Sequence, residues 1–581
     1  MSNRRIGVYM CHCGGNISDY VDVERVRQTI VNEPGVVVAK TVVSACSDDS
    51  QQQMIQDIKE QNLDGLVVAS CSPKLHTFTF RGVARRAGLN PYQYTQVNVR
   101  EQCSWTHTDD YEGATQKALR LIRAGIARTG LTEPLEPIRI DTVPQALVVG
   151  GGIAGLRAAI GLADIGISVF LVEKSPAVGG RVNQLGEMYP HNKNGKQLIA
   201  KLINEMKTRK NITLFTNAEL IEKSGSIGNF NVKIRVSGQG NKIDIITANV
   251  GSIIIATGFD TYQPGELEYG YGVDGVVTLP EFKELLDSSK GVPTRNGKEI
   301  KDIVYIYCVG SRQPEDLENS NRYCSRYCCN AAVHSSNMVA ERNPKTHQFH
   351  LFRDIRTYGK YELLYSQSRE TGSTYLRFGD DDLPVVEKCS DGKVKITVKD
   401  LLTFGEEVEL RADVVVLVAG MVPKKNDELV SALKLPVGRD RFYNEIHPKL
   451  RPVETVVDGV FICGTCQGPK NSSETVASAL AAVTQSASIL KKGYVELDPL
   501  MAVVIPELCQ WCGECEKICP YSAIEKSEEQ GKEVARINKA SCKGCGGCVP
   551  VCPRDAIDLK GYTDAQIRSM IDGLIRNGDT P

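Results

Sequence analysis

No stretch of this 581-residue chain approaches the ~18 consecutive apolar residues of a membrane helix, so no membrane insertion is expected. The opening MSNRRIGVYMCHCGG carries Arg4 and Arg5, but the apolar run after them is too short for a secretory signal. Neither sign of charge dominates: 69 Lys and Arg stand against 70 Asp and Glu, a net charge of -1. That balance argues against nucleic acid or an anionic membrane surface as a partner. Between residues 104 and 307 there is no cysteine at all, and a second glycine-rich dinucleotide turn is missing from the middle of the chain. What remains is an ordinary globular composition, 41% apolar and 24% charged, with room for about three to five domains.

Cysteine is the anomaly, with 20 in the chain. Five precede residue 104, four lie between 308 and 329, two at 463–466 and eight between 509 and 552, with Cys389 alone. A disulfide scaffold would be a short chain. These clusters read instead as metal ligands in a reducing cytoplasm.

The strongest signal is CQWCGECEKICP at 509–520, which recurs as CKGCGGCVPVCP at 542–553. Each is the C-x2-C-x2-C-x3-C-P run of two-cluster ferredoxins, in which the fourth cysteine ligates the other cluster. Cys509, Cys512, Cys515 and Cys552 are therefore expected to hold one [4Fe–4S] cluster. Cys542, Cys545, Cys548 and Cys519 are expected to hold a second. Zinc knuckles are the alternative, but they use paired C-x2-C units without the trailing Cys-Pro.

A β-branched strand, ALVV, runs into Gly150, Gly151, Gly152, Ile153, Ala154 and Gly155 and then an alanine-rich helix. Glu173 ends the next apolar strand, followed by Lys174 and by a turn holding Gly180 and Arg181. Strand, glycine turn, helix and acid at this spacing form a dinucleotide fingerprint: the glycines let backbone approach a pyrophosphate, and the carboxylate accepts from a ribose. Two later turns, Ala256, Thr257 and Gly258 after SIII, and Gly464 and Thr465 after GVFIC, look like the markers of thioredoxin-reductase-like flavoproteins. That resemblance selects FAD. Lys470, in QGPK, would set positive charge near the flavin; a solvated surface lysine is the alternative. Cys463 and Cys466 read either as a redox pair or as small residues packed in a tight turn.

Such flavoproteins carry a second fingerprint after a central strand. Here that strand, DIVYIYCV, leads into CVGSR, with Cys308 at its end and Cys324, Cys328 and Cys329 after a loop. A [4Fe–4S] site in place of a nicotinamide turn is the reading. A buried cysteine group or a redox disulfide is the alternative, disfavoured because adjacent cysteines strain a bridge.

The first 140 residues alternate strands and helices, implying a small parallel α/β sheet, with cysteines after the strand ends. Ligands gather at the carboxyl ends of such strands. A further cluster is expected on Cys46, Cys71 and Cys103, with either Cys11 or Cys13 as fourth ligand. Cysteine is also a common core residue, and His12, His76 and His107 nearby are expected to be ordinary surface or capping residues.

The fold class is thus α/β: an N-terminal parallel α/β domain, a two-dinucleotide flavoprotein core and an α+β two-cluster ferredoxin domain. The expected boundaries are an iron–sulfur domain at 1–138, the FAD-binding domain in two parts at 139–300 and 411–500, and between them, at 301–410, a degenerate nicotinamide-domain-like segment. The ferredoxin domain follows at 501–560 and an amphipathic helix at 561–581. That helix is expected to pack within the chain, on the ferredoxin unit, with a partner surface as the alternative.

With CHCGGNI at 11–17, ASCSPK at 69–74, REQCSW at 100–105, the glycine turn, CVGSR, YCSRYCC at 323–329, QGPK and the ferredoxin tail, the chain resembles the A-subunit family of heterodisulfide reductases over essentially its whole length. The resemblance implies an FAD and four-cluster electron-transfer component, a homodimer within a larger cytoplasmic complex. Its implied partners are the catalytic B- and C-subunits, a hydrogenase, formate or NADH-linked donor module, and ferredoxin, with electron bifurcation among the family's activities. Many members carry a further ferredoxin insert near 182–249. This chain has no cysteine there, which sets it apart and puts bifurcation in question. Two other readings stand beside this one. An NAD(P)H-dependent flavoprotein disulfide or ferredoxin reductase would need the missing second fingerprint. A non-catalytic cluster scaffold would not need the intact first one.

Overall fold

The computed structural model describes residues 4–190, 192–238, 242–289, 291–317 and 319–575. It divides into two compact units, one made of Met1–Ile140 with Glu496–Pro581, the other of Asp141–Val495. The segments expected to form separate N-terminal and ferredoxin domains fall in the same unit.

In the first unit four strands form a parallel sheet in the order Val36–Val42, Ile6–Cys11, Gly65–Ser70, Tyr94–Asn98. Ile6–Cys11 and Gly65–Ser70 are buried along their whole length, as apolar runs in a covered parallel sheet must be. Two strand ends pass through a Cys-Ser pair into a helix. Ser47 caps Asp48–Glu60, accepting from Ser50 N–H at 3.3 Å, and Ser72 caps Pro73–Ala87, accepting from Lys74 N–H at 3.3 Å. The cap chemistry thereby fixes Cys46 and Cys71 at the carboxyl edge of the sheet. The ferredoxin segment contributes the hairpin Ile524–Glu529 with Lys532–Ile537 and the pair Ala502–Val504 with Ile557–Leu559.

The C-terminal helix, Asp564–Ile575, does not seat on the ferredoxin strands. It lies along Tyr111–Gly130 of the N-terminal part, so closely that a Cβ on Gly573 would stand 2.9 Å from Ala124 backbone. Gln566 donates to Leu131 O at 2.9 Å, and the Arg128 guanidinium stacks over Tyr562 at 4.0 Å. The reason is local: Gly573 and Ala124 remove the side chains that would hold two helices apart. Residues 576–581 of the expected helix lie outside the described residues.

The second unit holds two five-stranded parallel sheets. One has the order Ile212–Phe215, Ser168–Val172, Gln145–Val149, Ser252–Ile255, Val460–Ile462. The small-residue helix Ser472–Leu490 packs on Ile153–Asp164, where a Cβ on Gly161 would meet Val483 at 3.3 Å. The other sheet has the order Val276–Thr278, Val414–Ala419, Asp302–Val309, His347–Phe352, Thr374–Arg377. It extends past both ends of the 301–410 segment, because VVVLVA at 414–419 is apolar enough to be a central strand of either sheet. Among the described residues no helix is long and apolar enough to cross a membrane.

Candidate flavin and iron–sulfur centres

The glycine turn closes as a cradle. Gly150 has φ +108°, and a Cβ there would stand 2.4 Å from Ala256 O. A Cβ on Gly155 would stand 1.7 Å from Gly150 O, so the helix can start this close to the strand only with glycine at both places. Gly152 is the N-cap of Ile153–Asp164, and no side chain caps it, which leaves its first N–H groups open to an anion. Glu173 accepts from Gly151 N–H at 2.6 Å and from Ser175 N–H at 2.8 Å, fixing a carboxylate at the mouth of the turn. The Gly180 turn lies against Gly152, with Gly179 N–H donating to Gly151 O at 2.7 Å. Arg181 reaches Asp260 at 2.9 Å beside the Thr257–Gly258 turn. Gly258 faces Thr465, and Gly464 touches Ala154. These candidate flavin residues therefore converge from four separate chain segments, and the open amides and bare cradle fit a dinucleotide. Lys174 is turned elsewhere: its side chain is exposed and pairs with Glu219 at 2.8 Å.

Lys470 is half-buried and donates to Gln467 Oε1 at 3.1 Å rather than pointing into solvent. Burial lowers its pKa, opposed by Cys466, Glu445 and Glu474. Cys463 and Cys466 are both buried, and the Cys466 thiol donates to Cys463 O at 3.1 Å, so the pair is knit into the turn as free thiols.

The central cysteines meet at the carboxyl end of Asp302–Val309. Burial pushes the Cys308 thiol up to about 11, with Cys329 and Cys324 adding to the rise and Arg312 and Arg353 opposing it. Cys328 donates to Cys329, which raises the first thiol and lowers the second. Arg326, φ +58°, turns its own N–H to Cys324 Sγ at 3.3 Å. Four mutually interacting sulfurs with N–H donors aimed at them are chemically the kind of donor set that an iron–sulfur cluster takes. The loop is tied to the flavin side. Arg326 donates to Pro469 O at 3.3 Å and to Glu474 at 2.7 Å, and Tyr327 packs against Phe259 at 6.4 Å.

At the N-terminal sheet the structure groups Cys11, Cys13, Cys46 and Cys71. Cys13 N–H and Ala45 N–H donate to Cys11 Sγ at 3.2 and 3.3 Å, and Arg100 donates to Cys13 Sγ at 3.3 Å. Burial raises the Cys11 thiol, helped by Cys13 and Cys46. Cys71 is raised to about 11, again chiefly by burial, with Cys13 and Cys11 contributing. Cys103, expected as a ligand, is not brought to this set. Its thiol donates to Ala114 O at 3.0 Å, inside the core. The cause is the wide turn after Tyr94–Asn98, closed by Ser104 N–H on Val99 O at 2.9 Å, which swings residue 103 toward Tyr111–Gly130. Both Cys11 and Cys13 lie beside the other two sulfurs, where one of them was expected. His76 and His107 have ordinary partners, Thr79 at 3.4 Å and Lys117 at 2.9 Å.

In the ferredoxin segment Cys519 shares one small cavity with Cys542, Cys545 and Cys548, the cross-run grouping expected of two-cluster ferredoxins. Cys515 responds to Cys512 and Cys509. The two runs repeat their sulfur contacts: Ala523 N–H donates to Cys519 Sγ at 3.3 Å and Ala556 N–H to Cys552 Sγ at 3.2 Å. The reading from residue types alone did not single out Arg100, Arg312, Arg326 or Arg353. For Arg312 and Arg326 the signal was position, since both stand inside the cysteine motifs.

Comparisons with known proteins bear on the flavin turn and the ferredoxin segment. A family described as FAD dependent oxidoreductase matches residues 145–224, and a 4Fe-4S dicluster domain matches residues 508–556. The chain is 37% identical to an iron-sulfur A-subunit of the CoB-CoM heterodisulfide reductase of Methanopyrus kandleri, covering 91% of this chain and 92% of that protein. It is 36% identical to the A-subunit of the H(2):CoB-CoM heterodisulfide,ferredoxin reductase of Methanothermobacter thermautotrophicus, covering 99% and 98%. That alignment runs over 657 positions, so the relative carries segments this 581-residue chain lacks. Among solved structures, a thioredoxin reductase of T. acidophilum is 17% identical, covering 60% of this chain and 99% of that one, with a TM-score of 0.40.

Proposed function

This chain belongs to the A-subunit family of heterodisulfide reductases, and from that premise we propose that it is the electron-relaying component of a larger heterodisulfide-reductase-like complex in the cytoplasm. It is an oxidoreductase that binds FAD and [4Fe–4S] clusters and serves in electron transfer. Bound FAD supplies the exchange between electron pairs and single electrons, and the clusters carry the single electrons. The chain's own residues bind, orient and tune. Gly150–Gly155, Glu173, Gly180, Arg181, Ala256–Gly258, Gly464 and Thr465 hold the flavin. Cys308, Cys324, Cys328 and Cys329 hold a central cluster, and Cys11, Cys13, Cys46 and Cys71 an N-terminal one. The cross-paired ferredoxin runs hold two more.

The observation that carries this reading is the central cysteine set. It stands where Asp302–Val309 would otherwise offer glycines to a nicotinamide dinucleotide, and its loop is bonded to the Pro469–Glu474 segment at the flavin side. This favours a flavin that exchanges electrons through metal over an NAD(P)H-dependent reductase. The partners that fit are disulfide-reducing B- and C-subunits, a hydrogenase, formate or NADH-linked donor module, and ferredoxin, around a homodimer of this chain. The relatives' names tie them to the CoB-CoM heterodisulfide, and one also to ferredoxin. With no cysteine between 104 and 307, the chain lacks the extra ferredoxin branch, and we place it among the members that do not bifurcate through that branch.

The test is iron and flavin content of the full-length protein beside its Cys308→Ser variant. About 16 iron per FAD, falling to about 12 in the variant, is expected. About 8 in both would overturn the reading of the central and N-terminal sets.

A further inference from the structure

Arginine rings the central cysteine set. Cys308 and Arg312 both lie in the left-handed region, at φ +63° and +54°, with Gly310 between them at +68°. Non-glycine residues persist there when the surrounding structure holds them against strain, as happens at functional turns. The turn, closed by Ser311 N–H on Cys308 O at 3.1 Å, sets Arg312 beside Cys308. Arg353 follows the end of His347–Phe352, is only 8% exposed and donates to Arg312 O at 2.8 Å. Cys329 Sγ donates to Asp354 O at 3.9 Å, in the loop that carries Arg353 and Arg356. The charges of Arg312 and Arg353 oppose the burial-driven rise at Cys308. Arg377, at the end of the edge strand, closes the ring by donating to Arg353 O at 2.9 Å.

The counter-charges are fewer. Asp354 is shared by Arg312 at 2.9 Å, Arg356 at 3.7 Å and Arg377 at 3.3 Å, and Asp380 pairs with Arg353 at 3.1 Å. Asp400, buried, accepts from Arg377 N–H at 2.7 Å. Four guanidinium groups against three carboxylates leave one positive charge in excess, and arginine does not lose its proton. In the ferredoxin segment the cation acting on a cysteine, Lys517 on Cys512, has an exposed side chain paired with Glu514 at 2.7 Å.

A cluster's reduction potential follows net local charge, hydrogen bonds to its sulfurs and solvent exposure. Reduction adds one negative charge, and fixed positive charge in a poorly solvated site favours the more negative state. We propose that Arg312, Arg353 and Arg356 are potential-setting residues. They hold the central cluster at a higher reduction potential than either C-terminal cluster, which makes the central set the favoured one-electron outlet of the flavin site. This rests on the reading of Cys308, Cys324, Cys328 and Cys329 as a cluster site.

The experiment is a potentiometric titration followed by electron paramagnetic resonance on the full-length protein. The central signal is identified by its loss in Cys308→Ser. In the unaltered protein it is expected to titrate above the C-terminal signals. Arg312→Gln and Arg353→Gln should each move it to more negative potential, Arg312→Lys should restore most of the shift, and Asp354→Asn should move it the other way. The C-terminal signals should stay in place throughout. A central signal below the C-terminal pair, or one unmoved in glutamine variants that keep their iron, overturns the proposal. If the glutamine variants lose the cluster, Asp354→Asn decides: no upward shift overturns it as well. About 8 iron per chain, with no signal lost in Cys308→Ser, would instead overturn the cluster reading itself, so the two failures are distinguishable.

Discussion

Arg326 holds the Glu474 carboxylate at 2.7 Å, and Glu474 at the same time accepts from Asn471 N–H at 3.0 Å in a capping box. One carboxylate thus serves both the central cysteine loop and the start of the helix that follows the flavin turn. Two separately readable motifs, YCSRYCC and QGPK, are joined by the second bond of the same guanidinium, to Pro469 O at 3.3 Å.

The two partners should differ in what their loss costs. The Arg326 and Glu474 side chains are 46% and 32% exposed, so the ion pair contributes ~0.2–1 kcal/mol. Glu474→Ala also removes the reciprocal half of the capping box, the bond from Asn471 N–H, which adds ~0.5–1.5 kcal/mol. Urea unfolding should find Glu474→Ala the more destabilised of the two. Equal losses would mean that the cap contributes nothing.

Cys103 and Cys13 should separate cleanly in an iron assay. Serine at 103 can keep the hydrogen bond to Ala114 O and should leave iron content unchanged. Serine at 13 or 46 should remove about four iron per chain. Loss of iron in Cys103→Ser, with Cys13→Ser unaffected, would restore the ligand set expected from strand order alone.

The contrast between these cysteines marks what the sequence can carry. The ferredoxin runs and the glycine turn were legible because their chemistry lies within a dozen residues, where spacing and geometry are nearly the same thing. That Cys46 and Cys71 belong at the sheet's edge was legible from their places just after strands, and the structure adds the Cys-Ser pairs that cap the following helices. Cys103 has the same pair but follows a wider turn, and only the closure of Ser104 N–H on Val99 O decides which way its thiol points. Likewise VVVLVA at 414–419 is apolar enough for either sheet. Arg353 and Arg356 reach the central cysteines from another strand's end, a meeting that no spacing encodes.

Gly155→Ala should abolish flavin retention. Its Cβ would stand 1.7 Å from Gly150 O, backbone that cannot yield without opening the cradle. Gly82→Ala is the control: it lies within Pro73–Ala87 with nothing within 4 Å of the added carbon, and should gain up to ~1 kcal/mol of helix propensity. Flavin absorbance per chain after gel filtration reads both. Full flavin in Gly155→Ala would remove the glycine turn from the cofactor site.

Acid should destabilise the second unit through two buried histidines. His350 is stacked between Tyr305 and Tyr375 at 4.6 and 4.4 Å, accepts or donates at Tyr307 Oη (2.9 Å) and Ser336 Oγ (3.1 Å), and burial lowers its pKa to about 3. His334 is lowered to about 4, again chiefly by burial. Both are neutral when folded and titrate near 6.5 once unfolded. The unfolded chain therefore binds more protons below that value, and stability falls as pH drops from about 6.5 toward the folded values. Each contributes a slope of up to ~1.4 kcal/mol per pH unit in that window. His350→Phe keeps the ring stack but strands the Tyr307 hydroxyl, at ~1–3 kcal/mol near neutral pH. The variant should be less stable than the parent at about pH 7, and its shallower decline should bring the two curves together by about pH 5. Urea midpoints measured across roughly pH 5–7 check this, and parallel curves would mean that His350 accepts a proton in the folded chain as readily as in water.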